Sequence, residues 1–270
     1  MNKVQINKVN RSLPGSWNEL TRDQLIYVCS LFSHNMKLPE FKLKILFRFL
    51  GIKKKLFKKI DPQDVLFLSE TFDFLQQEVT LTRALIKSIR LGRFPWTCYR
   101  GPQDGMSDCT FGEFTKAQVR FEEYARTQDP QKLSELTAIL FRRKKAFWWI
   151  RRHFGESTDA RERFIDRTLE ARTKRFRHVD HDIKAAVLLF FSGVQASLTT
   201  QFPNVYKPTP AKSSSKSDGW VSLIISLADG KTDDQSLERV MNSNLYNVFF
   251  GLEKQSIEYF EFIKKYPDHE

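Results

Sequence analysis

Helix starts punctuate this sequence from one end to the other, and they constrain the fold more than any other feature. Thr21 and Gln24 have the spacing of a capping box, in which the threonine hydroxyl accepts from the Gln24 backbone N–H and the glutamine side chain reaches back. Leu20 and Leu25 stand where a hydrophobic staple closes, and Leu25, Val28, Cys29 and Phe32 then repeat at helical spacing. The preceding "LPGSWNE" is a turn that tucks Trp17 inward. Pro39 opens a second helix, and Gly51 ends it by taking the left-handed conformation. Asp61 caps a third, with Pro62 at the first helical position, where a missing N–H costs nothing. Thr110 and Glu113 repeat the capping-box spacing, Asp129–Pro130 repeats the Asp–Pro start, and Asp180 caps "HDIKAAVLLFFSGVQASLTTQF". Such a chain is expected to be all-α, a multi-helix bundle.

Two stretches read less plainly. "EVTLTRALIKSIRLG" alternates like a strand at Val79 and Leu81, but Ala84, Leu85 and Ile89 favour a helix. "TDARERFIDRTLEARTKRF" has few large apolar residues and many charges, and a helix is expected across it. Residues 203–219, rich in Pro, Ser and Lys, read as a flexible linker. The expected organisation is a main helical domain over 1–202 with a bend at 92–109, then the linker, then a small helical unit over 220–270. That unit holds a short helix capped by Asp218 and closed by Gly230, and a longer one capped by Ser243. In the longer helix Leu245, Phe249, Leu252, Tyr259 and Ile263 lie near one stripe.

The apolar content, 41%, is ample for a core and argues against general disorder. No run reaches the roughly 20 apolar residues of a membrane helix, and the N-terminus lacks the apolar region of a signal peptide. An intracellular protein without a membrane partner is expected. The three cysteines fit that compartment.

The formal charge of +12 is unevenly spread. Residues 142–177 carry 13 Lys and Arg against 5 Asp and Glu, a local excess of +8. A second basic cluster is Lys53, Lys54, Lys55, Lys58 and Lys59. Such asymmetry points to an acidic partner: nucleic acid, an acidic protein surface or a phosphate-rich ligand.

Four motifs could carry chemistry. In "GRFPWTCYRGPQDGMSDCTFGEF", residues 92–114, Cys98 and Cys109 have ten residues between them and no nearby His, which is not a zinc spacing. Asp104 and Asp108 there are candidate carboxylates, but Pro, Gly and Asp are also good turn formers, and the stretch reads as a structured bend anchored by Phe94, Pro95, Trp96 and Tyr99. In "HVDH", His178 and His181 flank the Asp180 cap, which sets them on opposite sides of a helix start rather than around a metal. In "RRKKAFWWIRRHF", the cations Arg142, Arg143, Lys144, Lys145, Arg151 and Arg152 could meet phosphates while an aromatic stacks on a base. The alternative is an amphipathic segment with a solvated cationic rim. Trp148 and Trp149 cannot both point fully inward on a helix, so one of them marks a candidate interface. Phosphate-loop, dinucleotide, serine-hydrolase and zinc-protease signatures are missing. A non-enzymatic protein that needs no cofactor or metal is expected.

Three segments together carry a family resemblance. "LPGSWNELTRDQLIYVCSLF" resembles the opening of a type of uncharacterised protein found in phage and prophage structural modules. "YRGPQDGMSDCTFGEFTKAQVRFEEY" with "LTAILFRR" resembles the middle of those proteins, and "VLLFFSGVQASLTTQFPNVY" with "WVSLIISLADG" and "NLYNVFFGLEKQ" resembles their end. The closing unit is similar to the small helical modules of tail assembly chaperones of tailed bacteriophages. The resemblance implies a chaperone-like tail assembly protein or a virion structural protein, working in the bacterial host cytoplasm or in the particle. It would act by binding tail or other virion proteins. Trp148, Trp149, Leu245, Phe249, Leu252 and Tyr259 are then the candidate contact residues. The competing expectation is nucleic-acid binding through the basic aromatic stretch 142–177.

Overall fold

The computed structural model describes residues 2–6, 9–34, 36–52, 54–58, 60–94, 97–145, 153, 161–207, 223–228 and 230–265. The fold is mainly helical, as the caps imply. It divides into two compact units, residues 1–86 with 180–194, and residues 87–179 with 195–270. This division differs from the expected one, because each unit takes in a segment from far along the chain.

The first unit opens with a hairpin that the helical signals did not announce. Strand β1 (Asn2–Ile6) pairs antiparallel with β2 (Val9–Leu13), Asn2 opposite Leu13. Then come α1 (Arg22–Phe32), α2 (Leu38–Leu50), α3 (Lys54–Phe57) and α4 (Pro62–Glu70). The Thr21 box is complete: Gln24 N–H donates to Thr21 Oγ1 at 3.3 Å, and Thr21 N–H donates to Gln24 Oε1 at 2.8 Å. Leu20 and Leu25 are both buried beside it. Gly51 stands at φ 60°, and Asp61 Oδ1 accepts from the Gln63 N–H. Trp17 is buried, with Phe74 edge-on at 5.8 Å.

Residues 77–87 contain no helix, contrary to the expectation for "EVTLTRALIKSIRLG". Two contacts hold the extended chain. The Asn18 side chain accepts from the N–H groups of Thr82 and Arg83, both at 2.9 Å, and donates to the Thr80 carbonyl at 3.1 Å. The Leu81 backbone also lies so close to Gly193 that a Cβ there would stand 2.4 Å from the Leu81 carbonyl oxygen. Gly193 belongs to the helix His181–Gln201, numbered α8 below, whose residues up to Val194 complete this unit. That helix is long and apolar enough by composition to cross a membrane, yet Ala186, Val187, Phe191 and Val194 are buried in the protein's own core.

The second unit contains a three-stranded antiparallel sheet of β3 (Ser88–Arg90), β4 (Cys98–Arg100) and β5 (Arg142–Arg143), in that order. Helices α5 (Phe111–Thr127) and α6 (Pro130–Leu140) form a packed pair. Helix α7 (Leu169–Phe176) begins later than expected, because Arg161 and Glu162 run extended and pair with the backbone of Lys144 and Arg143. Past the α8 residues 195–201 come α9 (Asp234–Asn242) and α10 (Leu245–Lys265). Sequence reading missed α9, although Asp233 caps it by accepting from the Ser236 N–H at 2.9 Å. The cap of α10 is Asn244, whose Oδ1 accepts from the Tyr246 N–H, rather than Ser243.

The expected separate C-terminal unit is part of this second core. Phe249 meets Phe114 edge-on at 5.7 Å, Phe111 at 6.3 Å and Phe202 at 5.4 Å. Leu245, Phe249 and Leu252 are therefore core residues and not the exposed contacts expected of them. Their stripe is apolar because it faces α5.

Candidate functional site

Charged side chains meet inside the second unit, beneath the start of α5. Thr110 caps the helix, its Oγ1 accepting from the Glu113 N–H at 3.2 Å. A capping box would send the Glu113 carboxylate back to the Thr110 N–H. It turns inward instead and is fully buried. Arg142 Nη2 donates to Glu113 Oε2 at 2.7 Å, and Arg161 Nη1 donates to Oε1 at 2.9 Å. The helix N-terminus favours an anion at this position, and both guanidiniums add to that.

Arg161 is the hub of the cluster. It donates to the carbonyls of Leu140, at 3.0 Å, and Asp108, at 3.3 Å, and lies 3.4 Å from Cys109 Sγ and from Asp108 Oδ1. Arg142 also donates to the Glu162 carbonyl. Burial pushes the Cys109 thiol well above its usual pKa, with the Glu113 charge adding to the rise. Arg172 lies nearby, and burial, followed by the charge of Arg142, lowers its guanidinium to about 10. Arg142 stands directly opposite Arg100 in the β4–β5 ladder. Like charges facing across strands destabilise a sheet, and Glu113 offsets that repulsion for Arg142.

This arrangement holds the second half of the bend, residues 103–112. Asp108 Oδ1 accepts from the Gln103 N–H at 2.8 Å. Gly105 and Met106 both have positive φ, 63° and 58°, and Met106 is buried. A left-handed non-glycine residue costs about 1–2 kcal/mol, so its surroundings must hold it. They do so from α9 and α10. The Tyr246 hydroxyl donates to the Gly105 carbonyl at 2.9 Å, Asn244 Nδ2 donates to the Ser107 carbonyl at 2.9 Å, and the Leu245 N–H donates to the Cys109 carbonyl at 3.0 Å. Gly112 admits Met241, whose Cε would stand 2.7 Å from an added Cβ.

The candidate residues fall out as follows. Asp104 is exposed, while the Asp108 carboxylate is buried beside Arg161. Cys98 is half-buried and Cys109 buried, both as free thiols. Among the described residues no three His, Cys, Asp or Glu side chains gather as a metal-binding group. His178 and His181 are exposed, and Asp180 caps α8 by accepting from the Asp182 N–H at 3.0 Å. Arg142, expected among the nucleic-acid contacts, is buried and committed to Glu113, because it faces the interior from a two-residue strand. Arg143 is half-buried and Lys144 exposed. Trp148, Trp149, Arg151 and Arg152 lie outside the described residues, as do Pro95, Trp96 and residues 208–222. Tyr259 is exposed.

Sequence reading did not find the cluster as such. Glu113 carried a local explanation as a cap residue, and Arg161 was one cation among many. A shallow groove of about 310 Å³ lies between α9 and α10, lined by Lys231, Ser236, Arg239, Asn247 and Gln255 among others, with no carboxylate, cysteine or histidine among the described lining residues. The chain matches no protein-family model, no curated relative and no solved structure.

Proposed function

We propose that this chain is a non-enzymatic assembly protein that works by binding another protein, through the outer half of α10. The observation that carries this reading is the change of character along that helix. Up to Leu252 its apolar stripe is core; over residues 253–265 no described residue is buried, yet Ile257, Tyr259 and Phe262 are each 40–50% exposed. A helical segment of this length is marginal in water by propensity alone and draws its stability from packing. Exposed large apolar side chains on such a segment mark a contact surface. The sequence resemblance supplies the partner class, a tail or other virion protein, and the chaperone-like or structural role that goes with it.

Binding of the purified chain to tail proteins of tailed bacteriophages tests the reading. Ile257→Asp with Tyr259→Asp is expected to weaken that binding at least about tenfold, or 1.4 kcal/mol, without loss of helicity. Equal binding by the double variant, or no binding by the parent chain, defeats it.

A further inference from the structure

The first unit carries a basic and apolar surface that the core does not use. Leu38, Leu43 and Phe47 of α2 are exposed, as is Phe32 at the end of α1. On α4, Leu66 and Phe67 are exposed by 65% and 73%. Phe32 stacks on buried Phe41 at 5.3 Å, Phe47 meets half-buried Phe57 of α3 at 5.4 Å, and α2 packs on α4.

Its charge is unevenly placed: residues 61–73, which include α4, carry four acids and no Lys or Arg, whereas α2 and α3 are basic. Residues 37–60 contain nine Lys and Arg and a single acid, Glu40. Glu40 is taken by Lys44, Lys42 pairs with Asp73, and Arg48 lies over the Tyr27 ring. Lys37, Lys55 and Lys58 are exposed, with no carboxylate at ion-pair distance among the described residues. Asp64 and Glu70 flank the α4 pair, so the cationic field comes from α2 and α3.

We propose that this face is a peripheral contact for an anionic lipid surface, with Leu66, Phe67 and Phe47 entering the headgroup layer while Lys37, Lys55 and Lys58 meet lipid phosphates. The burial of the long apolar helix α8 in the protein's own core bears on spanning a membrane, not on lying against one. Large apolar residues beside unpaired lysines are the composition of an interfacial surface. A partner helix would need one continuous apolar stripe. Here α1 supplies one exposed large apolar residue, α2 three and α4 two, a distribution that a deformable headgroup layer accommodates. The site is independent of the α10 contact.

Flotation of the full-length protein with vesicles tests it. The parent chain is expected to float with phosphatidylcholine vesicles containing phosphatidylglycerol, not with phosphatidylcholine alone, and to lose binding as salt rises. Lys55→Glu with Lys58→Glu, and separately Leu66→Ser with Phe67→Ser, should each lower binding about tenfold or more. Arg90→Glu with Arg126→Glu makes the same charge change in the other unit and should leave binding near the parent value. Circular dichroism verifies that each variant is folded. No flotation with the acidic vesicles overturns the proposal. So does an equal loss in the Arg90/Arg126 variant, which would reduce the effect to net charge. Capture of an acidic protein by these same residues without vesicle binding would also overturn it.

Discussion

In the first unit an irregular run, residues 77–86, makes no ion pair among the described residues. One amide side chain, Asn18, satisfies its backbone, and one glycine, Gly193, lets it lie against a helix. In the second unit the irregular run 101–110 is fixed by buried charge as well as by neutral hydrogen bonds from Asn244, Leu245 and Tyr246, with Glu113, Arg142, Arg161 and Asp108 sharing the interior. The difference teaches where each unit is brittle. A backbone held by neutral groups loses a hydrogen bond or a close fit when mutated. A buried ion cluster that loses one member strands the others without a counter-charge.

The largest expected effect follows from that asymmetry. Glu113→Gln removes the carboxylate charge that buried Arg142 and Arg161 share and should cost about 3–5 kcal/mol in chemical denaturation. Hydrogen exchange should place the loss in peptides from residues 87–179. A loss spread evenly over both units would erase the contrast. Gly193→Ala should cost about 1–3 kcal/mol, since backbone cannot yield as a flexible side chain would, and exchange should then quicken in residues 77–86 instead. Asn18→Ala should cost about 1–2 kcal/mol by orphaning the Thr82 and Arg83 donors, with the same local signature. The smallest effect concerns reactivity. Burial raises Cys29 to about 12 and Cys109 well above its usual value, so a thiol reagent at neutral pH should label half-buried Cys98 first. Early labelling of Cys109 would mean that the ion cluster opens readily.

The contrast also marks how far the sequence could be read. The Thr21–Gln24 and Thr110–Glu113 pairs look alike on the page, and both threonines do cap. Gln24 closes its box because nothing remote competes for it. Glu113 is drawn away by Arg142 and Arg161, 29 and 48 positions distant, and no local pattern encodes that pull. Asp–Pro starts, the Gly51 stop and the Leu20–Leu25 staple are short-range and were legible. The strands β3, β4 and β5 span two or three residues each and exist through cross-strand partners, so they left no periodicity. Leu245, Phe249 and Leu252 were correctly seen as one stripe, but which surface would cover it depended on α5. On the candidate contact surfaces, Tyr259 was legible as exposed, while nothing in the sequence around Leu66 and Phe67 sets them apart from buried helix residues.

Residues 241–246 roof the first turn of α5 and brace the left-handed pair Gly105–Met106 from above. A growing polypeptide therefore synthesises the strained corner long before it makes the piece that steadies it. Until the ribosome has released the start of α10, Phe111 and Phe114 lack Phe249, the ring that covers them. Completion of the second unit thereby waits until the chain has been made past residue 245, and a product stopped short of that point would expose a sticky aromatic surface of the kind that chaperones and proteases recognise.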